Sequence, residues 1–373
     1  MVLAGLLLSI IACQNSTTTE ETTEPPKDSI TTPEPPKIIP IKGMPISLVV
    51  TTQTAIIRQA PSLEAAEIAR YSKGDSLLFT NKISGFNTPI KLEGIAYNEP
   101  WLRIILPGNQ MGWIYGGCIN FKASEHPQLK TKVLDQRAVA LFGTSLAQQI
   151  KVYQKETERT TTLPAFRALY SRAELLKDSL ETLIDIHLKT NTTKELPDFF
   201  WLNELMDGML IHYVEEHQRY YLFKDLKYWK EISLQTADTT DDQFVDVLLA
   251  AYPSDSIEYY FYGWQLPIDS LTLCSLLGSD IHSNVLDKLQ VALDSNSYFQ
   301  EEMLAIKKAI VDDISISAHY WLPLESIQQE LAAIIKKRYP FLVSSDWVEL
   351  KTRQQMLKKY HQNNIALNLF EGQ

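Results

Sequence analysis

The stretch that decides the fold reads WLRIILPGNQMGWIYGGCI (residues 101–119). Two β-prone runs flank the residues Pro107-Gly108-Asn109, which are types that favour a tight turn. We therefore expect a hairpin that pairs residues 101–105 with 111–114. Further β-branched and aromatic runs lie upstream, at 46–50, 55–57 and 77–80, with a turn at Lys73-Gly74-Asp75. This density of short strands predicts a small all-β barrel over residues 46–122.

Four motifs of this region occur in a fixed order along the chain. They are TAIIRQAPS (54–62), EIARYSKGD (67–75), WLRI (101–104) and GNQMGWIYGGCI (108–119). In order and spacing they resemble the bacterial Src homology 3 domain family. The chain departs from that pattern by a longer stretch at residues 81–100, which is either an elaborated binding loop or a longer hairpin. The resemblance implies a module that binds cell-wall peptides or protein partners.

Three aromatic residues of the predicted barrel are candidates for ligand contacts, namely Tyr97, Trp101 and Tyr115. Rigid amphipathic rings that carry a polar group are common in recognition sites. The alternative for the same rings is core packing. Tryptophan is large and seldom wholly buried, which keeps both alternatives open for Tyr97 and Trp101. For Trp113, which follows a glycine in the last hairpin, we favour the core.

The N-terminus carries an uncharged apolar run, residues 2–11, which is followed closely by Cys13. A transmembrane helix needs about 20 apolar residues, so this run is too short to span a bilayer. Residues 1–13 resemble a bacterial lipoprotein signal, which implies that Cys13 is acylated and anchors the chain in a membrane. No Lys or Arg precedes the run, which departs from the usual signal. An unprocessed N-terminus or an upstream start is the alternative.

The next segment, residues 14–45, is rich in Thr, Glu and Pro and poor in large apolar side chains. Such a composition buries too little surface to offset the entropy of ordering the chain. We expect a disordered tether. Together with the signal, the tether predicts a protein held on the periplasmic or cell-surface face of the outer membrane in a two-membrane bacterium.

From residue 125 onward the apolar residues recur at helical spacing. The pattern predicts helices at 134–153 and 166–184, a third from Asp198 through Tyr213, and later ones near Thr240, Ser297, Pro323 and Ser344. The aromatic run 259–264 either packs in the core or forms an exposed patch. We expect an all-α helical bundle over residues 125–373, which resembles no family that we can name. The predicted fold class is therefore multidomain, with an all-β Src homology 3-like barrel followed by an all-α bundle.

The residues that commonly carry chemistry form no recognisable catalytic set. Cys118 and Cys274 lie in apolar surroundings and are expected to be small buried hydrophobes in separate domains, without a disulfide. His212 and Glu216 share a helix face in the predicted helix, but the pattern lacks the zinc motif and a third ligand. We expect no metal and no cofactor. His187 is predicted to pack with a hydrogen bond, and the acid pairs 241–242 and 312–313 to be solvated.

The net charge of the chain bears on which kinds of partner it can bind. The chain has 45 acidic and 35 basic residues, a net charge of −10, and shows no basic patch, which disfavours nucleic-acid binding. We expect a non-catalytic, membrane-anchored lipoprotein that presents a binding module for peptidoglycan peptide or an envelope protein. One alternative is a protein-interaction scaffold in which the helical region is the working part. The other is an unrecognised cell-wall hydrolase.

Overall fold

A computed structural model describes residues 37–191, 193, 195–269, 272–295, 298–359 and 368–369. The described residues do not include 1–36, which contain Cys13, the predicted signal and most of the predicted tether. Ser297 is also outside them. Within the described ranges no helix is both long enough and apolar enough to cross a bilayer.

The first part of the chain forms one antiparallel sheet. Its strands are β1 (Ile38–Pro40), β2 (Ser47–Val50), β3 (Thr54–Arg58), β4 (Glu67–Ser72), β5 (Ser76–Leu92), β6 (Ile95–Ile105), β7 (Met111–Tyr115) and β8 (Ile119–Asn120). The order is β4-β3-β7-β6-β5-β2-β8, with β1 paired to β5. The strands at the two ends, β4 and β8, do not pair with each other. The sheet is thus a curled half-barrel and not the closed barrel that the sequence predicts.

The hairpin of β6 and β7 is confirmed. Trp101 pairs with Tyr115 and Leu102 with Ile114, in antiparallel register. The connection contains Gly108 at φ 79° and Asn109 at φ 65°, two residue types that adopt the left-handed region readily.

The long stretch at residues 81–100 is a hairpin extension of β5 and β6 and not a loop. Leu92 pairs with Ile95 across a two-residue turn, in which Glu93 and Gly94 both have positive φ. The tip of this hairpin contacts the end of a helix, because the amide of Asn191 donates to the carbonyl oxygen of Glu93 at 3.0 Å.

The folded part begins earlier than the sequence predicts. Strand β1 pairs with β5, with Ile39 opposite Ile83, and Ile41 is buried. The predicted tether, residues 14–45, therefore includes a segment after residue 36 that belongs to the fold. The physical reason is that Ile39 and Ile41, on either side of Pro40, supply apolar surface that the rest of the segment lacks.

The second part of the chain is rich in helices. They are α1 (Pro127–Lys132), α2 (Leu134–Thr157), α3 (Leu163–Thr190), α4 (Leu226–Ser233), α5 (Thr240–Ala251), α6 (Ile281–Ser295), α7 (Gln300–Ile316), α8 (Leu324–Lys337) and α9 (Ser344–Lys358). The helices predicted at 134–153 and 166–184 are confirmed as α2 and α3, which lie antiparallel to each other. Arg172 bonds to Glu156 at one end of the pair, and His187 bonds to the carbonyl oxygen of Leu141 at the other.

The prediction of an all-α second region is wrong. A three-stranded sheet contains β9 (Met209–Val214), β10 (Arg219–Asp225) and β11 (Ile257–Glu258), and a four-stranded sheet contains β12 (Gln265–Pro267), β13 (Leu273–Ser275), β14 (His319–Tyr320) and β15 (Asn368–Leu369). Both parts of the predicted fold class are therefore wrong. The first region is an open half-barrel and not a closed barrel, and the second contains sheets as well as helices.

The helix predicted from Asp198 through Tyr213 shows why. Asp198 does accept a hydrogen bond from the backbone N–H of Phe200 at 3.1 Å, as a helix cap would. Only a short 3-10 turn, Phe200–Glu204, follows it. Gly208 at φ 73° then reverses the chain into strand β9, whose β-branched and aromatic residues favour pairing with β10.

The half-barrel sheet and the helices belong to one compact unit. The described residues from 37 onward form one body, without a division near residues 122–125. Several bonds join the two parts, among them the backbone N–H of Ala123 to Glu204 and that of Lys42 to Gln128. The predicted boundary is a change of secondary structure and not a separation in space.

Candidate ligand-binding cleft

The structure brings the three predicted aromatic residues together, but inside the protein. Tyr97, Trp101 and Tyr115 are 7%, 2% and 3% exposed, and the rings of Trp101 and Tyr115 meet edge to face at 5.6 Å. The Tyr115 hydroxyl donates to the carbonyl oxygen of Thr88, and the Trp101 indole N–H donates to the Thr88 hydroxyl. Burial raises the pKa of both tyrosines. The rings therefore offer a ligand no open face. Trp113 is buried, as predicted.

A buried ion pair lies beside these rings. The Arg137 guanidinium of α2 bonds to both carboxylate oxygens of Glu99, at 2.6 and 3.0 Å, and donates to the Gly116 carbonyl oxygen at 2.9 Å. Its carbon atom lies 5.6 Å from the Tyr97 ring centre. Both charged side chains are at most 2% exposed. This pair joins the sheet to the helices and is closed to solvent.

Both described thiols are free and buried, as the sequence predicts. Burial raises the pKa of Cys118 to about 12. Burial also raises the pKa of Cys274. Neither sulfur has the electropositive, accessible setting of a reactive thiolate.

His212 and Glu216 do not lie on a helix, contrary to the prediction. His212 lies on strand β9 and Glu216 in the turn after it, so they do not share a helix face, and His217 bonds to the Tyr221 hydroxyl at 2.8 Å. Among the described residues, no three His, Cys, Asp or Glu side chains are grouped to hold a metal ion. His187 packs with a hydrogen bond, as predicted.

The acid pairs 241–242 and 312–313 were predicted to be solvated, and the prediction is wrong for one member of each pair. Asp241 is fully buried and accepts from Thr236. Asp313 is 6% exposed and accepts from the Ser275 hydroxyl at 2.5 Å, with the Nε2 atom of His282 at 2.9 Å from the same oxygen. In a Ser-His-Asp catalytic set the serine bonds to the histidine. Here both bond to Asp313 in a closed core, so the cluster joins β13, α6 and α7.

An open cleft of about 770 Å³ lies where helix α8 ends and α9 begins. We call it the basic cleft. Its lining residues are Ile335, Lys336, Arg338, Tyr339, Pro340, Leu342, Ser344, Trp347, Val348 and Lys351. Its size is within the range of small-molecule and peptide sites, which is about 300–1,000 Å³.

Three cations and no carboxylate line the basic cleft. Lys336, Arg338 and Lys351 are exposed, and none of them has an ion-pair partner among the described residues. The neighbouring Lys337, by contrast, pairs with Asp287 at 2.5 Å. In a chain of net charge −10, three unpaired cations around one concavity form a local site of opposite sign.

The backbone is unusual at Arg338, one of the three cations. Arg338 ends helix α8 in the left-handed region, at φ 52°, where glycine is the usual residue. A non-glycine residue there costs about 1–3 kcal/mol and is often found at functional sites. Helix α9 begins at Ser344 in the cleft, and the Asp346 carboxylate of its first turn accepts from the backbone N–H of Val343 at 2.8 Å.

The rest of the cleft wall is aromatic and apolar. Tyr339 is buried, and its hydroxyl donates a hydrogen bond to Asp287 at 2.6 Å. Its aromatic ring is therefore the part that is left to contact a ligand in the cleft. Burial and this carboxylate raise the pKa of Tyr339. Trp347 is partly buried and Val348 is 65% exposed. The arrangement suits an anionic group that is attached to an apolar body.

None of the residues that line the basic cleft is among the site residues predicted from the sequence. The signal in the sequence was the run Lys336-Lys337-Arg338-Tyr339-Pro340, the densest group of cations after residue 125, followed by Trp347 and Lys351. The net acidic count for the whole region concealed it, because no acidic residue is among those that line the cleft.

Comparisons of the chain with protein-family models, with curated proteins and with solved structures returned no match. The geometry of the site is therefore what bears on function.

Proposed function

We propose that this protein is a non-catalytic binding protein of the bacterial cell envelope, anchored through Cys13, and that its basic cleft holds a carboxylate-bearing wall peptide. The single observation that carries the proposal is the group of three unpaired cations, Lys336, Arg338 and Lys351, around an aromatic-walled cleft. Peptidoglycan stem peptides present free carboxylates on a short, partly apolar chain. The cations match the carboxylates, and Trp347 and Val348 match the chain.

The test is co-sedimentation of the full-length protein, solubilised in detergent, with purified peptidoglycan sacculi. We expect saturable binding that weakens as NaCl is raised, because the cations are exposed and salt screens them. The double variant Lys336→Gln/Lys351→Gln should lose about tenfold or more in affinity, which corresponds to about 1.4 kcal/mol. A synthetic stem peptide with free carboxylates should compete, and the same peptide amidated at its carboxylates should not.

The matched control is Lys358→Gln, since Lys358 is an exposed lysine on the same helix α9 and does not line the cleft. It should bind as the parent does. Equal losses in the control and in the double variant would reject the site. Absence of co-sedimentation at low salt would reject wall binding.

The anchor is tested separately, by labelling cells with an alkyne-tagged fatty acid. The parent chain should be labelled and the Cys13→Ser variant should not. Labelling that persists in the variant, or its absence in both, would contradict the membrane attachment but would leave the cleft experiment unaffected.

A second candidate function, the protein-interaction scaffold, is favoured by an exposed aromatic face on the sheet of β9, β10 and β11. Tyr260 is 50% exposed and stacks on Tyr221 at 5.2 Å, with His217 at 5.0 Å. Exposed aromatic groups of this kind are common in protein interfaces. A photo-reactive phenylalanine analogue at position 260 should give one discrete protein adduct in cells. The same analogue at Tyr298, which is 45% exposed and lies outside the sheet of β9, β10 and β11, should give none.

A further inference from the structure

A second, smaller cleft of about 230 Å³ lies where helices α3, α5 and α7 meet strand β11. We call it the Tyr-Glu cleft. Its polar lining consists of three tyrosines and three glutamates, namely Tyr170, Tyr252, Tyr262, Glu174, Glu258 and Glu302. It shares no lining residue with the basic cleft, and its charge has the opposite sign.

The hydroxyls of the two buried tyrosines have no protein partner among the described residues. Tyr170 is 5% exposed and Tyr252 is 7% exposed, and within the described part of the chain neither hydroxyl makes a hydrogen bond. Side chains that are so deeply buried usually have their polar atoms paired. Both residues line the cleft, so the group that would satisfy their hydroxyls is one that enters it.

The carboxylates outnumber the cations that face them. Lys224, which is fully buried, bonds to Glu174 and lies 2.9 Å from Glu258. Arg167 pairs with one oxygen of Glu302. The second carboxylate oxygen of Glu302 is buried and has no hydrogen-bond partner. Three carboxylates and two cations leave a net charge of −1 at the cleft.

The aromatic walls favour the same sign of ligand. The ammonium nitrogen of Lys224 lies 4.4 Å from the centre of the Tyr170 ring, so the site already stabilises one ammonium against a ring face. Tyr262 is held flat against the buried Trp264, with ring centres 4.2 Å apart, and Tyr252 stacks on Tyr262 at 5.7 Å. The opposite wall is therefore rigid before any ligand binds.

We propose that the Tyr-Glu cleft binds the ammonium group of a small organic amine, with the Tyr170 and Tyr252 hydroxyls as hydrogen-bond acceptors and the nearby Glu302 carboxylate as a negative charge that attracts the ammonium group. A divalent metal ion fits less well. Lys224 stands between Glu174 and Glu258, so these carboxylates do not converge on one point. This inference goes beyond the proposed wall-peptide function and does not depend on it.

The test is a saturation-transfer NMR titration of the full-length protein with n-butylammonium chloride at constant ionic strength. We expect saturable binding with a dissociation constant of millimolar order, and none for n-butanol, which has the same shape without the charge. Glu302→Gln should weaken binding about tenfold, because it removes the charge and keeps the shape.

Two further variants keep the result interpretable if Glu302→Gln is unstable. Tyr252→Phe removes only a hydroxyl and should weaken binding about threefold to tenfold, the effect of one hydrogen bond to a charged group. Glu301→Gln, at the exposed neighbouring position of α7, should bind as the parent does. Equal binding of n-butanol, equal loss in Glu301→Gln, or full affinity in Tyr252→Phe would overturn the proposal.

Discussion

Arg137 is the residue that most directly joins the half-barrel sheet to the helices. Its guanidinium reaches from α2 to Glu99 on β6 and stacks over the ring of Trp201 at 5.3 Å. Although burial alone would lower the pKa of Arg137, the Glu99 carboxylate raises it. Arg137 therefore stays charged in the interior, where the loss of Glu99 would leave it without its partner.

Replacing Glu99 by Gln tests this arrangement. The variant should lose about 3–5 kcal/mol of unfolding free energy, because the Arg137 charge stays buried without its carboxylate. Urea unfolding followed by circular dichroism measures the change. Glu67→Gln, which opens the exposed pair between Glu67 and Arg70, should be indistinguishable from the parent. A loss of similar size in both variants would contradict the importance of burial.

The buried carboxyl of Asp198 makes the stability of the protein depend on pH. Burial raises the pKa of this carboxyl above its ordinary value of 3.8, so the folded protein holds the proton more strongly than the unfolded chain does. The contribution of Asp198 to stability is then greatest below pH 3.8 and is lost as the pH rises through its folded pKa. Asp198→Asn should therefore be more stable than the parent at neutral pH, and the difference should shrink on acidification.

The control for this prediction has the opposite sign. The pKa of Asp238 is lowered by its bonds to Thr240, so its stabilisation is present at neutral pH and is lost on acidification. Asp238→Asn should be less stable than the parent at neutral pH. Unfolding curves at several pH values measure both variants. A difference between Asp198→Asn and the parent that does not vary with pH would contradict the titration.

At the scale of elements, helix α2 is two helical segments joined at Gly143. This residue has φ 82° and ψ 161°, which is far from helical geometry and is restricted to glycine. The break lets the first segment place Arg137 against the sheet, while the second places the Tyr153 hydroxyl on the carbonyl oxygen of Asp207. The continuous apolar pattern across residues 134–153 gave no sign of it.

The variant Gly143→Ala tests the break, because the change in unfolding free energy has opposite signs in a regular helix and at this backbone conformation. In a regular helix the change would stabilise the protein by about 1 kcal/mol. At this backbone conformation it should destabilise by about 1–3 kcal/mol. A methyl group at this position meets no other atom within 4 Å, so the effect comes from the backbone alone. The exposed neighbour, Thr144→Ala, should change the unfolding free energy by less than about 0.5 kcal/mol.

At the scale of the whole molecule, the sheet and the helices share one body although their sequences look like two domains. Glu99 with Arg137, Glu93 with Asn191 and Ala123 with Glu204 all join the two parts. Contacts of this kind couple the stability of each part to the other.

We expect the described region to unfold in one transition. Far-UV circular dichroism, which reports mainly on the helices, and tryptophan fluorescence, to which Trp101 and Trp113 of the sheet contribute, should give the same midpoint. The Glu99→Gln variant should shift both midpoints together. Two resolved transitions, with the sheet unfolding apart from the helices, would show that the parts are independent domains.

The sequence by itself determined the local features that depend on neighbouring residues. The turn at Pro107-Gly108-Asn109, the β6–β7 hairpin and the helical periods of α2 and α3 follow from residue types a few positions apart. The tertiary structure alone decided that the half-barrel stays open, that residues 209–225 form strands, and that Tyr97, Trp101 and Tyr115 are buried. It also brought together Lys336, Arg338 and Lys351, whose charges the overall acidic count conceals. The physical reason is that burial and charge clustering depend on which distant segments meet, and short-range patterns carry no information on that.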